Sequence, residues 1–459
     1  MECSGPMSAS AAEKLVEPPA DSGPPQGTAP ADTSSPGKWI PTLYFAEGLP
    51  NVVTVVVSVL MYKSMGLGDG EIAFFTSLIT YPWILKPLWS PLLELVDNKK
   101  RIVVLTQLFG GLLFGLLALA ITSDQRVGLT LAFFGLIAFI SATHDIVADG
   151  IYVSVLDSKT QARYVGIQGA AYNIAKFLAT GGFVIMAGKL EESYGVNTAW
   201  MSVMVAIGLV MILISAWHTR TLPSSTVTSA GDDQDKPKTV AEVFSSFGHV
   251  VKTFFEKKNI WWGIAFICLF RFSEGNQVKI VPLFMRATRE AGGLGLTTAD
   301  VGIAYGLFGS AAFVCGSLAG GMLISKRGLR RSLLILCAAF NVPNVCYLFL
   351  ATVRPESLWM VNGAVLIETF GYGFGFVAIT LFMMQQIAPG PYKMAHYAFG
   401  TAVMFLGFLA PSSFSGYIAE SLGYQMHFVW VLVATIPSFY VAWKVPFNHP
   451  DVLVSSDES

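Results

Sequence analysis

The chain has 459 residues, of which 53% are hydrophobic and only 13% charged, with a formal net charge of −1. Soluble chains carry about 25% charged residues, so an ordinary water-soluble domain is excluded, and the neutral balance offers no footprint for nucleic acid. The cysteines (Cys3, Cys268, Cys315, Cys337, Cys346) are far apart, without metal or redox spacing, and read as packing residues; no cofactor is expected.

Residues 1–38 are rich in Pro, Ala, Ser and Gly and lack the apolar core of a signal peptide, so a disordered cytoplasmic tail is expected. Apolar runs of about twenty residues follow, the length of a membrane-crossing helix. Twelve are expected, at roughly 39–61, 71–94, 102–122, 128–156, 164–188, 198–217, 259–285, 299–323, 332–350, 358–384, 394–418 and 425–445. Runs this long and uniformly apolar do not fit barrel strands. The fold class is therefore an all-α polytopic membrane protein, with a first bundle at 39–220 and a second at 259–448.

Lys and Arg set the orientation. With the N-terminus inside, nineteen of the twenty-nine fall on the inner side and six (Lys63, Arg126, Lys189, Arg286, Arg289, Arg354) on the outer. Both termini, including the tail 449–459, are expected in the cytoplasm. The linker 221–258 begins with a polar stretch. It continues as an amphipathic segment with Val240, Val243, Phe244, Phe247, Val251, Phe254 and Phe255 at helical spacing. Thr239 and Glu242 read as its capping box. The segment either lies on the inner membrane surface or packs under the bundle.

The halves repeat at an offset near 225 residues. Phe45-Ala46-Glu47-Gly48 matches Phe272-Ser273-Glu274-Gly275, Gly188 to Gly195 matches Gly416 to Gly423, and Asp145 falls opposite Glu368. Two parallel six-helix repeats are the plan of major facilitator transporters, whose substrate site lies at the interface near mid-membrane. The stretch Gly321 to Arg331 is similar to the loop signature of that superfamily, with Ser325 in place of its acid. Lys326, Arg327 and Arg330 there are expected to gate, as are Lys86 and Glu94 in span two.

An ionised group at mid-bilayer costs roughly 3 kcal/mol, and is kept mainly when it borders a wet cavity or another charge. Glu47, Lys86, Asp145, Asp149, Lys176, Arg271, Glu274, Lys279 and Glu368 all lie within spans. Asp145 and Asp149 share a helix face, and close carboxylates raise one another's proton affinity. With Glu47 and Glu368 they are expected to couple protons. Lys86 sits at the depth of Asp149, so a fixed Lys86–Asp149 bridge is the structural alternative. Lys176, Arg271, Glu274 and Lys279 are expected to form a charged wall for an anionic substrate, although Arg271 and Glu274 can instead pair locally. His144 either relays protons to Asp145 or is a hydrogen-bonded packing residue. Tyr172 and Tyr372, with Trp83 and Trp89, are the aromatic side chains on which a sugar can stack. Gly371, Gly373 and Gly375 follow no strand and read as close helix packing, not a nucleotide loop.

Three segments carry a family resemblance. Ser141-Ala142-Thr143-His144-Asp145-Ile146-Val147-Ala148-Asp149 resembles the Ser-Ala-x-x-Asp-Ile-x-x-Asp segment of AmpG-type muropeptide permeases. Lys86-Pro87-Leu88-Trp89-Ser90-Pro91-Leu92 is similar to their Lys-x-x-Trp-Ser-Pro-Leu stretch, and Phe45 to Pro50 to their first-span Gly-Leu-Pro motif. Acetyl-CoA transporters and some siderophore importers share these motifs. The resemblance implies a monomeric, proton-driven importer of anhydromuropeptides, in the inner membrane where the cell is Gram-negative. Peptide carboxylates would meet Lys176 and Arg271. Import of another anionic solute is the second reading. A membrane enzyme or a sensor is the third; no nucleophile–base set, zinc motif or phosphate loop supports an enzyme.

Overall fold

The computed structural model describes residues 35–94, 96, 98–156, 158–223, 240–390 and 393–449. The expected disorder of the N-terminal tail, the polar part of the linker, the Thr239 cap and the C-terminal tail lie outside the described residues, as does the side chain of Glu94.

The described chain is helical, without a strand. Ten helices are long and apolar enough to cross a membrane: Pro36–Ser64, Lys99–Ala120, Arg126–Tyr152, Ile167–Tyr194, Val196–Thr221, Thr298–Arg327, Leu329–Val353, Leu358–Ile387, Ala395–Leu422 and Tyr424–Lys444. They are spans one, three to six, and eight to twelve. Spans two and seven are present but broken. Span two runs as Asp69–Leu78, Tyr81–Leu85, a tight turn Lys86–Leu88 and Ser90–Glu94. Pro82, Pro87 and Pro91 each withhold a backbone N–H, and a proline inside a helix breaks or kinks it. Span seven runs as Ile260–Phe270, Phe272–Gln277 and Ile280–Arg286, and its breaks fall at Arg271 and Lys279. Broken spans are where transporter folds line a cavity with free backbone.

Each half packs by the same plan. Span one lies on span five, and span three on spans four and six; in the second half, span seven lies on span eleven, and span nine on spans ten and twelve. Gly371 and Gly373 let these helices touch: a Cβ would stand 2.3 Å from the Ala339 carbonyl oxygen and 2.2 Å from that of Phe313, respectively. That is packing, as composition suggests, and not a phosphate loop.

At the end opposite both termini, the two halves are sealed together. Span two meets span eleven, and span five meets span eight. The repeated glycines make both contacts possible. A Cβ on Gly416 would stand 2.1 Å from the Asp69 carbonyl oxygen, and one on Gly188 would stand 2.3 Å from the Ala299 nitrogen. Spans five and eight also carry wide π-type turns, Leu178–Phe183 and Gly302–Gly309, which abut one another.

At the end bearing the termini, the linker helix Val240–Phe255 packs on span eleven. Phe254 is buried against His396 and Phe399, and Phe247 touches Phe399. This is the packed alternative of the two expected. Lys257, just beyond it, donates to the carbonyls of Ile387 (2.7 Å) and Pro389 (2.5 Å), and burial pushes its ammonium below the ordinary lysine range.

Candidate functional site

A cavity of about 150 Å³ opens between the halves on the terminus side of the seal. Glu47 and Asn51 of span one, Trp83 and Lys86 of span two, Asp145 of span four and Tyr172 of span five line one wall. Ala398, Thr401, Ala402 and Phe405 of span eleven line the other. Ligand pockets for drug-sized molecules run to about 300–1,000 Å³, so a bulky solute needs the halves to part further than they do here.

Span positions explain who meets whom. Glu47 and Asn51 are one turn apart on span one, and Tyr172 donates to the Asn51 side chain at 3.0 Å. Lys86 and Asp145 form an ion pair, with Lys86 30% exposed and Asp145 12% exposed at the side chain. The Glu47 carboxyl lies against Asp145, and its Oε2 is buried without a hydrogen-bond partner. Asp149, one turn nearer the termini, is exposed and accepts the Tyr44 hydroxyl at 2.9 Å. The alternative of a Lys86–Asp149 bridge is therefore corrected to Lys86–Asp145. Matching depth by residue count fails because span two is interrupted and its tight turn at Lys86–Leu88 does not advance at the α-helical rise. The cluster holds three carboxyls and one ammonium, so it has more acid than its own cation can neutralise.

The other half holds a second charged group. Arg271 donates to both Glu274 oxygens at 2.6 Å and stacks over Phe408 at 4.4 Å. Local pairing, the alternative read from the sequence, is what forms, so Arg271 is neutralised and not a bare cation. Tyr372 interacts with Glu274 and packs between Phe313 and Phe340. Trp89 lies on Phe139, so of the four aromatics read from the sequence Trp83 and Tyr172 reach the cavity. Lys176, one turn beyond Tyr172 on the same face, crosses to the second half and sits over Phe313 at 4.6 Å. Glu368 accepts from Tyr347 at 2.7 Å and from Gln277 at 3.2 Å. No described cation pairs with it.

Lys279 leaves the wall altogether and donates into span two of the first half. Arg330 lies 6.0 Å from the Phe447 ring, while Lys326 and Arg327 are exposed with no ion pair among the described residues.

Three features went unread in the sequence. The first is the network that holds His144 in the packing role, one of the two roles read from the sequence: its Nε2 meets Gln107 at 2.8 Å, Gln107 meets His218 Nδ1 at 2.8 Å, and His218 Nε2 meets Thr42 at 2.8 Å. Replacing Gln107 with leucine leaves both imidazoles short of a partner, at about 1–3 kcal/mol. A lowered thermal transition of the solubilised chain is the expected result; an unchanged one contradicts the network. The second feature is the seal itself. Glu420 accepts from the Gly70 N–H at 2.8 Å and Glu191 accepts from Thr298 at 2.6 Å, each across the halves, while Tyr424 donates to Asp69. The repeated Gly-then-Glu stretches after spans five and eleven were the signal. The third is the pair Thr76 and Ser77.

The Major Facilitator Superfamily model matches residues 42–411. The anhydromuropeptide permease of Escherichia coli K12 is 22% identical over 401 residues, covering 86% of this chain and 76% of that one. Among solved structures, a bacterial homologue of the human lysosomal transporter Spinster, in an inward-facing, unoccupied conformation, superposes with a TM-score of 0.63 at 17% identity, covering 89% of this chain and 96% of that one. A D-xylose–proton symporter gives 0.64 at 12% identity, covering 89% and 97%.

Proposed function

The chain belongs to the Major Facilitator Superfamily, and from that premise we propose that it is a proton-coupled importer of anhydromuropeptides working by alternating access. The observation that carries the coupling is the Lys86–Asp145 ion pair with Glu47 beside it, set in the cavity between the halves. A carboxyl that loses a proton there gains Lys86 as partner, and one that gains a proton releases it. The ion pair therefore ties the charge of the cluster to the grip between spans two and four. Asp149 hands protons on toward the end bearing the termini. Glu368, wrapped in neutral donors, is the matching acid of the second half.

The substrate reading rests on the relative named for anhydromuropeptide transport, on Lys176 as the cation one turn beyond the cavity, and on Trp83 and Tyr172 as stacking surfaces. Arg271, paired with Glu274, and Tyr372 join the substrate site when the halves part further. The excess of Lys and Arg near the termini supports a cytoplasmic N- and C-terminus. The sealed end then faces outward, and Glu94, Lys326, Arg327 and Arg330 form the inner gate. The protein acts as a monomer in the bilayer, in the inner membrane of a Gram-negative cell.

Uptake into proteoliposomes of labelled anhydromuropeptide, acetyl-CoA and a ferric siderophore tests the reading. Accumulation of the sugar peptide alone is expected. Transport of either other solute in its place rejects the substrate.

A further inference from the structure

Lys279 is 3% exposed, and its ammonium donates to Thr76 Oγ1 at 2.6 Å, Ser77 Oγ at 2.9 Å and the Ala73 carbonyl at 3.4 Å. An ammonium has three N–H donors, so span two of the opposite half supplies one acceptor for each. All three acceptors are neutral. The hydroxyl protons are committed elsewhere: Thr76 donates to Ile72 O at 2.6 Å and Ser77 to Ala73 O at 2.7 Å. Their lone pairs are left for the cation. No described carboxylate lies within ion-pair distance of Lys279. A buried cation held only by neutral groups is weakly compensated beside one held by an anion.

The position of this contact bears on motion. Lys279 sits between the segments Phe272–Gln277 and Ile280–Arg286, at a break in span seven. Thr76 and Ser77 precede the break in span two that separates Asp69–Leu78 from Tyr81–Leu85. The bond therefore joins the two broken spans across the interface, on the sealed side of the cavity. When that end opens, Lys279 must part from its acceptors, and its charge is then uncovered beside the entering solute.

We propose that Lys279 is a carboxylate-binding site exposed only when the sealed end opens, and that Thr76 and Ser77 form a neutral cradle that reclaims the ammonium as the end closes and so expels the carboxylate. The inference rests on the anionic-substrate reading above. It assigns the switch in affinity between the two faces to one exchange: a carboxylate on Lys279 in the open state, two hydroxyls and a carbonyl in the closed one.

The test uses the full chain in nanodiscs, with labelled anhydromuropeptide and its methyl-esterified form as probes. Lys279→Gln is expected to weaken the free-acid probe at least tenfold and leave the ester unchanged, while Lys279→Arg keeps most of the affinity. Thr76→Val with Ser77→Ala is expected to tighten the free acid at least tenfold, because the competing cradle is gone. Equal binding of the free acid by the parent and Lys279→Gln overturns the inference. Loosened binding in the cradle variant overturns it too. Should a variant fail to fold, the native lysine reads the same event. A membrane-impermeant amine reagent added at the sealed end, followed at Lys279 by peptide mass spectrometry, should modify it slowly, and faster when Gly416→Val is added; the free-acid probe should then protect it. Labelling that rises without protection overturns the carboxylate site. A parent that binds neither probe fails the transport reading itself, which separates the two failures.

Discussion

Replacing Gly416 with valine is expected to drive the resting protein out of its sealed conformation. A Cβ at that position would stand 2.1 Å from the Asp69 carbonyl oxygen and 2.5 Å from its carbon. Both are backbone atoms of the opposite half, so relief requires spans two and eleven to separate. Overpacking of a close contact costs about 1–3 kcal/mol. At about 1.4 kcal/mol per tenfold, the sealed-to-open ratio falls by up to about two orders of magnitude. Separation also breaks the bond from the Gly70 N–H to Glu420. Gly188→Val should act alike, because its Cβ would meet the Ala299 nitrogen at 2.3 Å. Spin labels at Glu192 and Glu356, both exposed and on opposite halves at the sealed end, report the change. Their distance distribution should move outward in either variant. An unchanged distribution means that the glycines do not hold the seal.

Asp145→Asn should abolish coupling. The substitution leaves the Lys86 ammonium facing an amide, with Glu47 alone as its remaining acid in the cavity. Breaking a buried pair from one side costs about 3–5 kcal/mol, and the 30% exposure of Lys86 brings the figure toward or below the lower end. Uptake should drop at least tenfold and lose its dependence on pH. Asp149→Asn should be milder, because Asp149 accepts a neutral hydroxyl from Tyr44 that an amide oxygen can also take. Lys86→Met with Asp145→Leu is expected to recover folding and not coupled uptake. Recovery of both would make the pair purely structural.

The spans and their doubling could be read from the chain because each is a local property. Length, apolarity and the offset that relates Glu47 to Glu274 need no partner. The intramembrane charges were equally visible, since an ion in a span stands out by type. Their pairing was not, because it depends on rotation and depth after the helices break. Lys86 was matched to Asp149 by counting, and the interrupted span two brought it to Asp145. Its place along span seven with Arg271 and Glu274 assigns Lys279 to a wall, and the break at that residue turns it into the opposite half. Gln107 and His218 are ordinary residues in apolar helices until spans three, four and six meet. The tight contacts at Gly188 and Gly416 could have been drawn from the repeat, because two matching glycines at span ends imply two matching close approaches.

In the proposed mechanism the acids around Lys86 move a proton whenever the protein moves substrate. Purified protein in liposomes loaded with a pH-sensitive dye tests this directly, without an imposed gradient. Adding anhydromuropeptide outside should acidify the lumen with the native chain, and should leave it unchanged with Glu47→Gln or Asp145→Asn. Substrate entry with no lumenal acidification, or the same acidification in both variants, would contradict the account.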